Sequence, residues 1–460
     1  MNFAPRDVEG LVDELRLYHL RFRPLFRREE QRRWALKYLQ GLLSDVERKS
    51  IEPMAERLEG GNVRDMQSFI GQGSWDDDGI LRVHQRMVDE DLGEPEGVVI
   101  VDGCDVPKQG EHSVGVARQW CGALGKVANC QAGVLIGYAS SKGHTLVDRR
   151  LYLPKEWFTE AYTERRRKCG VPKDLTFQTK PELALAMLKP IIQEQRLRFG
   201  WVVIDAGFGD NPGFRDRLND LGVRYLAEVA CDARVWRTRP ATHIPPAQSN
   251  RGRPPTKERV TPGTPDPERV DAIAEAMATD AWTPYLVKEG TKGPMVYEFA
   301  FLQVSEVRED LPGRDTWLLL RRKPDDHADR KYFVSNASAD TPHSRLVWAT
   351  GMRWPVETSI EHGKSEVGLD HYETRTWRGW HHHMTLTLLA LHFLVRLRLK
   401  LKDQAPALTV PQVREMLQVV LPKKQLDAAQ VLALITRTQR RNHAAYVSHR
   451  KHTLRKLDGL

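Results

Sequence analysis

The spacing of apolar and polar positions changes several times along the chain, and each change marks a different kind of element. From Arg28 to Val46, the residues Ala35, Leu39, Leu42, Leu43 and Val46 recur at helical intervals with Arg and Glu between them, which predicts an amphipathic helix. Short helices are expected near Pro53 to Leu58 and near Val63 to Ile70, separated by Gly60-Gly61-Asn62. Helix, glycine turn, helix is the outline either of a DNA-reading helix-turn-helix or of an ordinary helical hairpin. At residue 97 the period shortens. Val98 to Val101 is an apolar strand that ends in Asp102, and Trp201 to Ile204 is a second one that ends in Asp205. Both are apolar on successive residues, as central strands buried on two faces should be. Ser113 to Cys121 and Ala132 to Ala139 are expected as strands between them. Thr179-Lys180-Pro181-Glu182 carries a capping box with proline in the first turn, so a helix starts there, with Leu185, Leu188 and Ile192 as its buried face. A helix from Pro212 to Leu221 and a strand from Val223 to Val229 complete a mixed α/β sheet.

Residues 231–345 interrupt this order. Arg234 to Arg259 holds seven Lys or Arg against one acid, with five prolines, a composition unsuited to a packed core. Beyond it, Met295 to Val304, Thr316 to Leu320 and Lys331 to Val334 read as strands. The most apolar run, Met384 to Val395, is too short to span a bilayer and contains His392, so a buried helix is expected rather than a membrane segment. Thr436 to Lys456 carries seven Lys or Arg and no acid.

Composition narrows the class only a little. A formal charge of +9 over 460 residues favours a polyanionic partner without proving one. Five cysteines are scattered with no CxxC pair, which argues against a disulfide framework or zinc knuckle and for a reducing compartment. The opening stretch carries acids where a signal peptide needs an apolar core, so none is expected. A metabolic α/β enzyme is disfavoured because no glycine-rich phosphate loop follows the first strand.

The candidate chemistry lies in the carboxylates. Two-metal phosphodiester transfer needs acids that hold ions ~3.5–4 Å apart, and magnesium takes oxygen ligands. Asp102 and Asp205, at the ends of two central strands, are placed for this, although either alone could equally cap a following helix. The third candidate is Glu357, in Arg353-Trp354-Pro355-Val356-Glu357. Pro355 suits a first helical turn, so Glu357 falls at the positive end of the dipole. Lys364 lies two turns on and nearly on the same face; a solvated charged helix is the plainer reading of that stripe. Asp105 and Asp210 are nearby acids without the strand-end position, and Glu361 is a rival one turn beyond Glu357. His381-His382-His383 point in different directions on a helix and cannot all ligate one ion, so exposed or DNA-facing histidines are expected. Arg251-Gly252-Arg253-Pro254 has the form of a minor-groove-binding core or of a flexible basic loop. Trp282 and Trp317 are either core or stacking residues.

Arg353, Glu357 and Lys364 stand at the spacing of the Tyr-x-x-Arg-x-x-x-Glu-x-x-x-x-x-x-Lys signature, and the chain from about residue 25 to 400 resembles the DDE transposases of bacterial insertion sequences. Gly368-Leu369-Asp370-His371-Tyr372, Trp377-Arg378-Gly379-Trp380-His381 and Val114 to Arg118 share the likeness. Two departures stand out: Thr350 takes the Tyr position, and Cys104 replaces the small hydroxyl residue that usually stands two positions after the first Asp. The resemblance implies a ribonuclease H-like fold with a β-rich insertion before the Glu helix. It implies Asp102, Asp205 and Glu357 as catalytic ligands of two Mg2+ ions (Mn2+ able to substitute), with Arg353 and Lys364, and on the minor-groove reading Arg251 and Arg253, contacting DNA. The expected partners are terminal inverted repeats and target DNA, held by a homodimer in the bacterial cytoplasm with no membrane association. The expected organisation is a helical DNA-binding region over 1–92, a catalytic domain in two parts over 93–230 and 346–400, the insertion over 231–345, and a basic helical region over 401–460. A related nuclease that cuts without joining, and a non-catalytic DNA-binding regulator, remain alternatives.

Overall fold

The computed structural model describes residues 8–246, 255–290 and 293–457. Helices come first, among the described residues α1 (Leu11–Leu20), α2 (Glu29–Leu42), α3 (Ile51–Arg57), α4 (Val63–Gly71) and α5 (Asp77–Leu92). Four strands follow, β1 (Val98–Pro107), β2 (Ala117–Cys121), β3 (Lys126–Ala139) and β4 (His144–Tyr152). Next come α6 (Thr163–Cys169), α7 (Lys180–Gln193), β5 (Trp201–Ile204), α8 (Ala206–Gly209), α9 (Pro212–Asp220) and β6 (Tyr225–Val229). The insertion contributes β7 (Arg234–Trp236), β8 (Thr242–His243), β9 (Arg259–Val260), β10 (Glu268–Arg269), α10 (Val270–Ala276), β11 (Thr283–Gly290), β12 (Gly293–Arg308), β13 (Leu311–Arg322) and β14 (Arg330–Ser335). The chain closes with α11 (His343–Gly351), α12 (Trp354–Val367), α13 (Trp377–Lys400), α14 (Val410–Val420) and α15 (Ala428–Leu457).

The sheet is mixed, as expected. β4, β3 and β1 pair antiparallel, whereas β1, β5 and β6 pair parallel. That order and those directions are consistent with a ribonuclease H-like core with helical flanks. The insertion strands extend the same sheet: β14 pairs antiparallel with β6, then β13 with β14 and β12 with β13. A single hydrophobic core therefore runs from the first helices to α14. α13, buried from Gly379 to Val395, packs against α2, α4 and α5 and along β4. No helix among the described residues is long and apolar enough to cross a membrane.

Several local expectations are corrected. β1 does not end at Asp102 but runs on to Pro107, paired with β3 throughout. Of the predicted strand Ser113 to Cys121, only Ala117–Cys121 is strand. β4 has no counterpart in the pattern, because Asp148-Arg149-Arg150 breaks its apolar run. Arg149 is nonetheless fully buried, its guanidinium bonded to Asp77 at the start of α5. Within the basic stretch, Val235 and Trp236 of β7 are buried, so part of it does join the core. The capping box at Thr179 and Glu182 forms on α7, but its buried residues are Leu183, Ala184, Met187, Leu188 and Ile191.

Candidate active site

Backbone register brings three acids to one level. In the parallel pair β1–β5, Val101 lies opposite Ile204, so the next residues, Asp102 and Asp205, stand side by side on neighbouring strands about 4.8 Å apart. In β5–β6, Ile204 lies opposite Ala227, which puts Glu228 beside Asp205 in the same way. Alternation turns all three side chains to one face. α12 covers that face, approaching closely because residue 137 of β3 is glycine: a Cβ there would come within 2.7 Å of Val356 Cγ2. Pro355 sits in the first turn of α12, and Gly368, at φ +67°, ends the helix in a left-handed conformation.

Glu357 lies in that first turn and Arg353 is the N-cap residue. Arg353 Nη1 is 2.7 Å from Glu357 Oε1, and its Nε is 3.9 Å from Glu228 Oε2. The side chain of Glu357 is 41% exposed, so it forms the rim of the cluster rather than its floor. Lys364 is half-buried two turns further along, and its charge acts on the Cys104 thiol, two residues past Asp102 on β1. Lys288 of β11 lies 3.9 Å above the exposed ring of Trp354, and its charge interacts with Glu357.

The electrostatics are those of an under-compensated acid pair. Burial, and next the charge of Asp205, push the Asp102 carboxyl up to about 7, against the opposing pull of Arg353 and the Gly103 N–H. Asp205 is raised by burial and by Glu228, although it also accepts a hydrogen bond from Phe208 N as the cap of α8. The capping role considered for a strand-end Asp is thus present alongside the paired placement. Burial works against the charge of Arg353, but Glu357, Asp102 and Glu228 outweigh it and hold the guanidinium above its usual value. Among the described residues no three His, Cys, Asp or Glu side chains are gathered tightly enough to hold a metal ion; Glu357 is engaged by Arg353. The donor set still fits a hard divalent cation: it is oxygen only and part-buried, and among the described residues the cations pair with Glu228 and Glu357 rather than with Asp102 or Asp205.

The other candidates fall elsewhere. Asp105 is on the opposite face of β1, accepting a hydrogen bond from Gly122 N (2.7 Å) and lying 3.9 Å from Lys180 at the start of α7. Asp210 accepts from Ala230 N at 2.6 Å and so ties a loop. Glu361 is exposed. Thr350 is buried and donates to Val347 O within its own helix, with no aromatic ring to contribute. Trp282 and Trp317 are core residues. Arg251 and Arg253 lie outside the described residues. The histidines 381–383 are not exposed but buried. His382 stacks on Trp75 at 3.6 Å and donates to Ile70 O, while His383 accepts from Tyr38 and donates to Gly368 O. Glu228 is the acid that sequence reading overlooked. Its one signal was a charged residue one position from the end of an apolar strand, meaningless until β6 is known to lie next to β5.

Residues 21–294 match the family model described as DDE superfamily endonuclease. That span includes Asp102, Asp205 and Glu228 and stops before α12. The chain is also 24% identical over 345 residues, 74% of its length and 77% of the relative's, to a protein from Microchaete diplosiphon described as a probable transposase for insertion sequence element IS701. Because the family match covers more than half the chain, and the likeness to insertion-sequence transposases drawn from its motifs agrees with it, the chain belongs to the DDE superfamily endonucleases.

Proposed function

We propose that this endonuclease is a cut-and-paste transposase in which Asp102, Asp205 and Glu357 are the catalytic ligands of two Mg2+ ions. The observation that carries the reading is the strand register that sets Asp102 beside Asp205 beneath the first turn of the helix bearing Glu357. When bound, the ions supply Lewis-acid stabilisation to the attacking and leaving oxygens of an in-line displacement. The protein's part is positional. β1 and β5 fix two carboxylates on rigid backbone, and α12 brings the third from the exposed side, where DNA arrives. Arg353, now 2.7 Å from Glu357, would be free to contact a scissile phosphate if Glu357 held a metal ion, and Lys364 would contact the same strand further along.

Two protomers act together, since two element ends must be paired, and the helical N-terminal region and basic C-terminal helix hold the terminal repeats. A DNA substrate of this kind goes with action in the cytoplasm at the nucleoid. The decisive assay supplies pre-cut element ends with a free 3′-hydroxyl and a target plasmid in Mg2+. Joined products are expected, with Mn2+ substituting. Nicking of uncut ends without any joining would leave a nuclease, and neither product would leave a DNA-binding regulator.

A further inference from the structure

Beyond β6 the sheet carries cations where it had carried acids. Phe333 of β14 lies opposite Glu228, and two residues away Lys331 lies opposite Arg321 of β13. Alternation along each strand therefore puts Glu228, Lys331 and Arg321 on the face that holds Asp102 and Asp205. Lys331 Nζ is 2.7 Å from Glu228 Oε1, on the acid whose other oxygen faces Arg353. Arg321 is held by stacking, its guanidinium 4.3 Å over the ring of Tyr297, and its buried Nε has no hydrogen-bond partner among the described residues. An unsatisfied donor on a part-buried cation is costly unless a ligand supplies the acceptor.

We infer that Lys331 and Arg321 form a phosphate-binding wall, contributed by the insertion, for the phosphodiester neighbouring the scissile one, with Glu228 as the internal anion that holds Lys331 until DNA arrives. Lys331 and Arg321 are directly opposite on neighbouring strands about 4.8 Å apart, a spacing that lets both long side chains turn to one phosphate. The planar guanidinium of Arg321 supplies paired donors, and Lys331 supplies a point charge that can change partner without moving its backbone. The inference rests on the proposed action on DNA, but not on which acids bind metal.

The test is the salt dependence of binding to a labelled duplex of arbitrary sequence, measured by fluorescence anisotropy in EDTA with the full chain. Each phosphate contact adds about 0.9 to the slope of log affinity against log salt. Lys331→Gln and Arg321→Gln should each lower the slope by about 0.9 and weaken binding several-fold at low salt. Glu228→Gln should do the reverse and tighten binding, since the lysine is no longer held by a carboxylate. If Lys331→Gln fails to fold because Glu228 is left unpaired, the double variant Glu228→Gln/Lys331→Gln serves, and its slope should fall below that of Glu228→Gln by the same amount. A folded Lys331 or Arg321 variant with the parent slope and affinity would overturn the wall. The measurement contains no divalent cation, so an error in the metal-ligand assignment, seen as cleavage by an Asp205→Asn protein, leaves it untouched.

Discussion

The half-buried carboxylates above β5 and the three buried consecutive histidines at the start of α13 are both sets of metal-ligating residue types, and the fold treats them in opposite ways. Each histidine has a hydrogen-bond partner: His381 donates to Trp377 O, His382 to Ile70 O, and His383 bridges Tyr38 and Gly368. Burial holds His382 and His383 down at about 3, so the rings stay neutral and act as shaped polar packing. The acids instead stand beside other acids, and burial together with Asp205 raises Asp102 to about 7. Polar groups that satisfy one another signal a structural joint; like charges set in register, with no ion pair to either Asp102 or Asp205 among the described residues, signal a place kept for something else.

The largest expected difference between the two regions is in rate. Asp102→Ala, Asp205→Ala or Glu357→Ala should cut Mg2+-dependent cleavage by more than the roughly 100-fold that loss of a supporting residue costs at a metal site, with duplex binding retained. Cleavage at the parent rate by Glu357→Ala would remove that residue from the catalytic set. His383→Ala should act on stability instead, lowering it by about 2–4 kcal/mol in urea or thermal unfolding, because a buried ring is lost and two polar groups lose their partner.

Asp102→Asn should have the opposite sign. In metal-free protein near pH 8 it should stabilise by roughly 1–3 kcal/mol, because the folded state no longer buries an under-compensated charge. The direction follows from the raised value. A carboxyl whose folded value exceeds its unfolded one binds more protons when folded, so stability falls as pH rises from about 3.8 to about 7, and the benefit of asparagine should vanish near pH 4. The histidines slope the other way. Their folded values lie below 6.5, so the unfolded chain binds more protons in acid, and stability should be lost as pH falls below about 6.5, by roughly 1–2 kcal/mol per ring at pH 5. A shallower acid slope in His382→Gln/His383→Gln protein, with His19, His84 and His144 still contributing theirs, would sharpen that attribution, and a profile unchanged from the parent would break it. The smallest effect belongs to Asp105→Asn. With its carboxylate on the far face of β1, cleavage should stay within a few-fold and stability within about 1 kcal/mol; a large rate loss would mean that both faces of β1 serve the reaction.

Much of the site could be read along the chain because it is locally encoded. An apolar run followed by Asp marks a central strand and its carboxylate, even though β1 continues past Asp102, and Pro355 marks where a helix begins. β4 escaped because Asp148, Arg149 and Arg150 look like surface residues until Asp77, contributed by a helix more than seventy positions earlier, neutralises Arg149. The histidines were misread for a related reason: a polar triplet is exposed by default, and only Tyr38, Ile70 and Gly368 make it an interior one.

By itself the amino-acid order determined the elements that depend on neighbours a few residues away, namely the amphipathic helices, the two central strands, the cap of α7, and the residue types at Asp102, Asp205 and Glu357. Tertiary structure alone decided which strands adjoin. It placed Glu228 beside Asp205, carried the insertion onto the same sheet so that Lys331 and Arg321 follow the acids, and set Arg353 between Glu357 and Glu228. The reason is range. Helix period and capping are settled within one or two turns, whereas strand order and the fields that move a pKa are set by groups far apart in the chain that only packing of the whole core brings together.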